Sequence, residues 1–344
     1  MMSVSLTTEL PEEKKPYLLR SGDGRRYVFG QQVATVIADF KSTGDVLELT
    51  TISGGKGETF PLHRHKDAFE SIYVMEGKIE FMLDGVNYLL TAGDYVHIPP
   101  GIAHAYRMAG HRNRFASYSI KGNLTAIYEL LGEPYPYFEH PTTAMNSYSE
   151  NQLTEASNRA DIVFLQDAVR WGEYNSSEES HNPRSVAPYV LENGEGDRLL
   201  TGDQLHRILA TQENTNGEYI FVASDGPKGD PIVEHFHNHH TETFFCVQGQ
   251  MTMWANGEEV KLFPGDFLHV PAGTLHSYRL DSHYTKVVGM LVSGLFEPFF
   301  RALGEPHETY TFPTEPGPLR MDRVMAIIDE LDLNVVAKSP LDRK

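Results

Sequence analysis

Short apolar runs separated by turn residues occupy most of the chain from Tyr17 onwards. Their length and their content of Val, Ile, Tyr and Phe are typical of β-strands. Clear examples are residues 33–38, 46–50, 71–75 and 78–83. Asp84-Gly85 and Asn256-Gly257 lie between such runs and predict tight hairpins. Many short strands joined by regular turns indicate an all-β sandwich or barrel.

Helix-like spacing is confined to a few places. The apolar residues within 124–131 and 296–303 fall on one helical face, and each segment is followed by Gly and, two positions later, by Pro. Ser149 with Gln152 predicts a capping box for one short helix. Residues 321–331 predict an amphipathic helix, and residues 1–16 are expected to form a loose polar arm.

One segment of the chain occurs twice, and its second copy lies 172 residues after the first. Such self-similarity predicts two domains of one fold. The positions of the first copy that recur in the second include Tyr17, Gly57, His63, His65, Glu70, Gly77, Gly93, Pro99, Gly101 and His104. We predict an N-terminal domain at 1–138, a connection at 139–188 without a copy of its own, a C-terminal domain at 189–315 and a helical tail at 316–344.

The repeated histidines and glutamate have the spacing of a metal site. His63 and His65 are two apart, so on a strand both point to the same face. Glu70 reaches the next strand, and His104 follows a Pro-x-Gly turn on a later strand, so the four side chains converge only in a closed or sandwiched sheet. The second set is His235, His237, Glu242 and His276. We therefore predict one metal ion in each domain.

Three imidazoles and one carboxylate suit a divalent first-row metal, and the ligands alone accept Mn²⁺, Fe²⁺, Co²⁺, Ni²⁺ or Cu²⁺. Structural zinc is disfavoured because such sites usually employ cysteine. Four ligands leave open positions on an octahedral ion. With one ionised glutamate the centre carries a net charge near +1, which favours an anionic oxygen donor such as a phenolate, an enolate or a carboxylate.

Comparison of the two copies also separates the predicted metal ligands from the other histidines. His239 and His240 correspond to Asp67 and Ala68, so we interpret them as surface residues or neighbours of the ligands, and His206 receives no role. Alternation from the ligands predicts an apolar and aromatic lining without a basic residue, which favours a flat aromatic ligand. The predicted lining residues are Ile72, Val74, Ile79, Phe81, Leu83, Tyr106, Met108, Phe244, Cys246, Met251, Met253, Tyr278 and Leu280.

The composition of the chain limits the classes of partner and the compartment that we expect. The formal net charge of −18 over 344 residues argues against nucleic acid and anionic membranes, which require basic surface. A single cysteine, Cys246, excludes an intramolecular disulfide and fits a reducing compartment. We see no signal peptide and no apolar run long enough to span a bilayer, so we expect a soluble, cytoplasmic protein.

At these residues the chain resembles the cupin superfamily. Its two motifs, G-x5-H-x-H-x4-E-x6-G and G-x5-P-x-G-x2-H, are complete in both halves, although Met108 and Leu280 stand where an asparagine often follows. Over nearly its whole length the chain is also similar to bacterial quercetin 2,3-dioxygenases. The segments that carry this similarity are 16–22, 226–230, 249–254 and 276–284.

The resemblance implies two double-stranded β-helix (jelly-roll) barrels in tandem with a few peripheral helices. It implies a metal-dependent dioxygenase, with Mn²⁺ or Fe²⁺ preferred, that cleaves the heterocyclic ring of a flavonol with O₂ to a depside and carbon monoxide. Glu70 and Glu242 match the glutamate that assists deprotonation of the flavonol 3-hydroxyl. A homodimer is compatible with the sequence, which does not specify an oligomeric state.

Two other functions are compatible with the motifs. A bicupin acting on a small carboxylic acid, similar to oxalate decarboxylases, would need a cation in the pocket, and the inward faces provide none. A non-catalytic storage or ligand-binding bicupin would often have lost ligands, whereas both sets are complete here. Because Ile72 corresponds to Phe244 and Val74 corresponds to Cys246 in the two copies, the predicted linings differ, and we also expect the two halves to be unequal.

Overall fold

A computed structural model describes residues 4–145, 148–177, 180–336 and 340, and in them strands dominate over a few short helices. This confirms the all-β prediction. The chain divides into two compact units, one formed by residues 22–194 and the other by residues 1–21 together with 195–344.

The strands follow one another with short connections. In chain order, β1 to β15 are Ser5–Thr7, Tyr17–Leu19, Arg25–Phe29, Gln32–Ala38, Glu48–Gly54, Thr59–Arg64, Phe69–Glu76, Lys78–Leu83, Val86–Thr91, Tyr95–Ile98, His104–Met108, Asn113–Ile120, Glu133–Pro134, Val163–Phe164 and Tyr189–Leu191. Strands β16 to β27 are Asp197–Thr201, Gln204–Ala210, Tyr219–Gly226, His235–Phe236, Thr241–Gln248, Met251–Ala255, Glu258–Leu262, Phe267–Val270, His276–Leu280, Thr285–Val292, Glu305–Pro306 and Asn334–Val335. Helices α1 to α6 are Phe40–Thr43, Thr125–Leu131, Glu150–Arg159, Gln212–Thr215, Glu297–Leu303 and Met321–Ala326.

The unit at 22–194 contains two sheets. The larger has the order β13-β3-β4-β5-β12-β7-β10-β15, and the smaller has the order β14-β6-β11-β8-β9. Side chains of both sheets, such as Ile72 on β7 and Phe81 on β8, belong to one buried cluster. The predicted lining residues of this unit all lie in that cluster, so the alternation along the strands was interpreted correctly.

The other unit repeats this plan. Its larger sheet has the order β1-β2-β23-β20-β25-β18-β17-β16-β26, and its smaller sheet has the order β22-β21-β24-β19-β27. Cys246, Met251, Met253 and Leu280 form part of its buried cluster, and Phe244 and Tyr278 pack against them. The predicted hairpins are present, since Asp84-Gly85 and Asn256-Gly257 adopt positive φ at both positions, as tight two-residue turns require.

The domain boundaries at 138, 188 and 315 stay a prediction. Strand pairing indicates which unit contains the short strands at the start of each repeat copy. Strand β2 pairs with β23, and β15 pairs with β10. Residues 17–19 therefore belong to the unit that contains 195–344, whereas residues 189–191 belong to the unit at 22–194. The segment at 139–188 also joins the latter, because β14 pairs with β6.

Two terminal elements differ in detail from expectation, and one element of the linking segment matches it. Part of the predicted loose arm is ordered as β1, which pairs in parallel with β2. The predicted helix at 321–331 ends at Ala326, because the chain passes through a short 3₁₀ turn and becomes extended to pair β27 with β19. The capping box at Ser149 and Gln152 is present and begins α3.

Candidate metal centres

Each unit brings its three histidines and one glutamate together between its two sheets. In the unit at 22–194, His63 lies on β6 and is the register partner of His104 on β11 in the smaller sheet, and Glu70 lies on β7 in the larger sheet. In the other unit, His235 on β19 is the partner of His276 on β24, and Glu242 lies on β20. All eight residues are buried. Neighbouring antiparallel strands thus produce the convergence that the spacing predicts.

The imidazoles are close enough to share one ion. In each set, one ring nitrogen of each of the three histidines lies within 4.8 Å of the other two. The two sets also have nearly the same shape. The ring centroids of His63 and His104 are 4.1 Å apart, and those of His235 and His276 are 4.3 Å apart.

Main-chain carbonyl groups fix which ring nitrogen faces the centre. Nδ1 of His63 donates to the carbonyl oxygen of Pro61 at 2.8 Å, and Nδ1 of His104 donates to that of Ile102 at 3.0 Å. Nδ1 of His65 donates to the carbonyl oxygen of Asp161 at 2.5 Å. A carbonyl only accepts, so the proton of each neutral ring is on Nδ1 and the lone pair of Nε2 is free for a metal.

The second set repeats this orientation. Nδ1 of His235 donates to the carbonyl oxygen of Val233 at 2.9 Å. Nδ1 of His276 and Nδ1 of His237 likewise donate to the carbonyl oxygens of Thr274 and Asp332, at 2.9 Å and 2.5 Å. Six hydrogen bonds to carbonyl groups therefore point six Nε2 atoms inward.

Each glutamate is the fourth candidate ligand of its set and lies close to the histidine nitrogens. Oε2 of Glu70 lies 3.2 Å from Nε2 of His104 and 3.4 Å from Nε2 of His65. Oε2 of Glu242 lies 3.1 Å from Nε2 of His276, and Oε1 lies 3.5 Å from Nε2 of His237. Each carboxylate therefore faces the same space as the imidazole nitrogens.

Burial and charge keep most of these groups in the form that binds a cation. Burial would raise the pKa of Glu70, but the neighbouring His104 and His65 outweigh it and hold this pKa well below its usual value. Burial lowers the pKa of His63 well below its usual value, and the charges of His104 and His65 add to the effect. For His65, burial favours the neutral ring, but Glu70 outweighs it and raises the pKa.

The second set differs at its middle histidine. Burial lowers the pKa of His235 to about 3 and that of His237 to about 4. His240 contributes to the lower pKa of His237, and no such neighbour stands at the counterpart of His65. The pKa of Glu242 is held well below its usual value, because His240, His276 and His237 outweigh its burial.

A divalent metal fits both sets. Nε2 of His104 and Nε2 of His237 are buried and have no hydrogen-bond partner in the described part of the chain. Uncompensated buried nitrogen atoms of this kind are costly, and a metal ion would satisfy them. Three imidazole nitrogens and one carboxylate oxygen are ligands that first-row divalent ions accept.

The spacing did not predict three residues that form hydrogen bonds with the candidate ligands. Asp161 and Asp332 each hold the middle histidine of a set, and Ser117 Oγ donates to Oε1 of Glu70 at 2.5 Å. A signal for the aspartates exists in the sequence. The segments 161–164 and 332–335 both begin with Asp followed by an aliphatic residue, but they lie 171 rather than 172 positions apart, so a repeat aligned without a gap misses them.

The histidines outside the two sets have varied surroundings. His239 is exposed, whereas His240 is buried with Nδ1 2.9 Å from Oδ2 of Asp332. His206 on β17 is buried between the hydroxyl groups of Thr201 and Ser224. His240 thus proves to be a buried neighbour of the ligands, one of the two interpretations that the sequence left open.

Comparison with known proteins places the chain among the cupins. The Cupin domain family model matches residues 53–116 and 221–291. The chain is 58% identical over 335 residues to the quercetin 2,3-dioxygenase of Bacillus subtilis (strain 168), covering 97% of this chain and 99% of that protein. It is 31% identical over 130 residues to the quercetin 2,3-dioxygenase of Aspergillus japonicus, covering 36% of this chain and 37% of that protein.

Solved structures extend the likeness at the level of the fold. A variant of Bacillus subtilis oxalate decarboxylase superposes with a TM-score of 0.54 at 13% identity, covering 83% of this chain and 79% of that one. Procruciferin, an 11S globulin of Brassica napus, gives a TM-score of 0.53 at 11% identity, covering 82% and 85%. Such distant neighbours share the fold alone. No helix among the described residues is long and apolar enough to cross a membrane.

Proposed function

The chain belongs to the quercetin 2,3-dioxygenase family of two-domain cupins, and we propose that each unit carries out the family's reaction at its own set of three histidines and one glutamate. The enzyme is a dioxygenase that cleaves the heterocyclic ring of quercetin and related flavonols with O₂, giving a depside and carbon monoxide. The metal ligands are His63, His65, Glu70 and His104 in one unit and His235, His237, Glu242 and His276 in the other.

The orientation of the six imidazoles carries the assignment of these ligands. Every Nδ1 is engaged by a carbonyl oxygen, so every Nε2 is directed at the space that a carboxylate also faces. A merely structural cluster of histidines would not need this uniform choice of nitrogen. A divalent metal held there would supply Lewis acidity towards an oxygen donor and a centre able to interact with O₂. We propose Mn²⁺ or Fe²⁺, with Co²⁺, Ni²⁺ and Cu²⁺ as acceptable substitutes, since the ligands do not select among them.

Glu70 and Glu242 are proposed to serve also as acid–base groups. Both carboxylates are ionised because their pKa is held well below its usual value. Oε1 of Glu70 accepts from Ser117, which leaves Oε2 to face the imidazoles and an incoming ligand. A carboxylate oxygen at this place can accept the proton of a flavonol 3-hydroxyl, and a site with net positive charge favours the resulting anion.

The lining fits a flat apolar substrate better than a small diacid. Phe60 and Tyr106 stack with 5.7 Å between ring centroids, and the ring of Phe60 lies edge-on to that of His63 at 5.0 Å. The buried basic residues among those described are Arg207 and Lys286, and both interact with Asp225. Val287 belongs to the core, so its neighbour Lys286 points to the opposite face of the strand. Lys286 thus points away from the core, and Arg207 is held in its ion pair with Asp225.

One set of assays tests this function. Metal-free protein is reloaded separately with Mn²⁺, Fe²⁺, Co²⁺, Ni²⁺ or Cu²⁺, and oxygen uptake and carbon monoxide release are measured with quercetin. We expect one carbon monoxide for each O₂ consumed with at least one of these ions. Oxygen uptake without carbon monoxide, or carbon dioxide from oxalate, would contradict the proposal and favour another dioxygenase or a decarboxylase.

A further inference from the structure

In each set one histidine is held differently from the other two. The first and last histidines donate from Nδ1 to the carbonyl group two residues before them, which any similar strand would provide. The middle histidine depends on a distant segment. His65 donates to Asp161, 96 positions later, and His237 donates to Asp332, 95 positions later. The orientation of one ligand in each unit therefore requires that this later segment be in place.

The side chain of the same aspartate holds the loop that leads to the glutamate. The carboxylate of Asp161 accepts from three consecutive main-chain N–H groups, those of residues 66–68, at 2.7 to 2.9 Å. The carboxylate of Asp332 accepts from those of residues 238–240, at 2.8 to 3.0 Å. Each loop connects the middle histidine to Glu70 or Glu242. One aspartate thus positions two of the four ligands, one through its carbonyl group and one through its carboxylate.

The residues that follow each aspartate lie against the strand that bears the histidines. Val163 and Phe164 pair with Arg64 and His63, and the N–H of Leu165 donates to the carbonyl oxygen of Leu62 at 2.8 Å. The second unit repeats the arrangement through the pairing of β27 with β19, and the N–H of Val336 donates to the carbonyl oxygen of Glu234 at 2.8 Å. Two independent copies of the same connection argue against an accidental contact.

We propose that Asp161 and Asp332 are positioning residues of the two metal centres, and that through them metal binding and docking of the following segment, residues 161–165 or 332–336, stabilise each other. This inference rests on the proposed function in that it requires a metal at each set. Partners that orient metal-binding histidines typically change metal affinity by about 10- to 100-fold when removed. Because coupling is reciprocal, the metal must favour the docked segment by the same factor.

The test uses the full chain loaded with Mn²⁺ and follows metal release to excess chelator together with amide hydrogen exchange. Asp161→Ala keeps the main-chain carbonyl group that orients His65 but removes the carboxylate that holds residues 66–68. We expect it to accelerate release from one of two sites per chain by about 10- to 100-fold and to leave the other unchanged. Asp332→Ala is expected to act on the complementary site. Asp161→Asn keeps the size of the side chain and one acceptor oxygen, and an intermediate rate from that variant keeps the test valid if the alanine variant folds poorly.

Asp94→Ala is the matched control. Asp94 is buried, and like Asp161 it accepts hydrogen bonds from main-chain N–H groups through its carboxylate, those of Thr91 and Asn193 at 2.7 and 2.8 Å, in a turn that supports no predicted ligand. We expect both release rates to be retained in this variant. In the wild type, Mn²⁺ should slow exchange of the amides of Leu165 and Val336, and Asp161→Ala should remove that protection at Leu165 only.

The outcomes separate the two levels of the proposal. Wild-type protein that binds two Mn²⁺ ions, with release unaltered in both alanine variants or altered equally in Asp94→Ala, would overturn the positioning role and leave the proposed function standing. Wild-type protein that binds no ion at either set would overturn both.

Discussion

The hydroxyl group of Ser117 donates a hydrogen bond of 2.5 Å to Oε1 of Glu70. The residue that corresponds to Ser117 in the second unit is Gly289. A side chain could not be accommodated there without a shift, because a Cβ atom on Gly289 would lie 1.9 Å from the carbonyl oxygen of Thr243. Glu242 therefore receives no hydroxyl donor from this position.

In the second unit the side chain of His240 lies beside Glu242, but it is not within hydrogen-bond distance of the carboxylate. Its ring lies against that of His237, with 3.7 Å between centroids, and its Nε2 is 3.6 Å from Oε1 of Glu242. The counterpart of His240 is Ala68. The two units thus share their four candidate ligands but differ in the group behind the carboxylate, which gives a structural basis for the expected inequality of the halves.

Replacing Ser117 by alanine should weaken the first centre alone. A hydrogen bond to a buried charged group contributes about 1.5 to 3 kcal/mol, so we expect Ser117→Ala to lower metal affinity at that centre by about tenfold or more. Competition with a chelator measures the two affinities. Ser119→Ala, two residues along the same strand, is the control and should leave both affinities in place. A loss at both centres would contradict this account.

His240→Ala should weaken the second centre alone. The substitution removes the ring that contacts both His237 and Glu242 and leaves Oδ2 of Asp332 without its bond to Nδ1. We expect about a tenfold or larger loss of metal affinity at that centre. The neighbouring His239 is exposed, and His239→Ala is expected to bind metal like the wild type. Equal affinities in the two variants would show that His240 plays no part.

Acid should destabilise the metal-free protein partly through His206. Burial, assisted by the charge of Arg207, lowers the pKa of His206 to about 4. Between pH 6.5 and 4 the unfolded chain binds a proton that the folded chain does not, so stability falls as pH falls, by about 1.4 kcal/mol per pH unit for this group. His206→Gln should reduce that slope in urea unfolding, whereas replacing the exposed His111 by Gln should not. An unchanged slope in His206→Gln would contradict the assignment.

A steric requirement explains one recurring glycine of the repeat. Gly249 has a φ of +78°, and a Cβ atom there would lie 2.3 Å from the carbonyl oxygen of Tyr284. Gly273 has a similar φ of +83° but no atom within 4 Å of the Cβ position. Both alanine variants incur the left-handed backbone penalty of about 1 to 2 kcal/mol. Urea unfolding should therefore show Gly249→Ala to be the less stable of the two, and equal stabilities would exclude the clash.

Residues with a periodic or repeated signal were predictable, and residues set by tertiary contacts were not. Alternation along β7 and β8 correctly placed Ile72 and Phe81 in the core. The same alternation brought His63 and His65 to one face. The sheets that β2 and β15 join could not be predicted, because the pattern of apolar residues within a strand does not specify its partner strand. Asp161 was missed because its counterpart Asp332 lies 171 rather than 172 positions later, and because the spacing does not show which main-chain carbonyl group a histidine will contact.

The central claim is that each unit binds a metal through its own glutamate and histidines. Metal content per chain, measured after dialysis against a weak chelator, tests it most directly in the wild type, Glu70→Ala, Glu242→Ala and the double variant. We predict about two ions in the wild type, about one in each single variant and almost none in the double variant, since each substitution removes one of four ligands. Metal content that stays at the wild-type value in both single variants would contradict the claim.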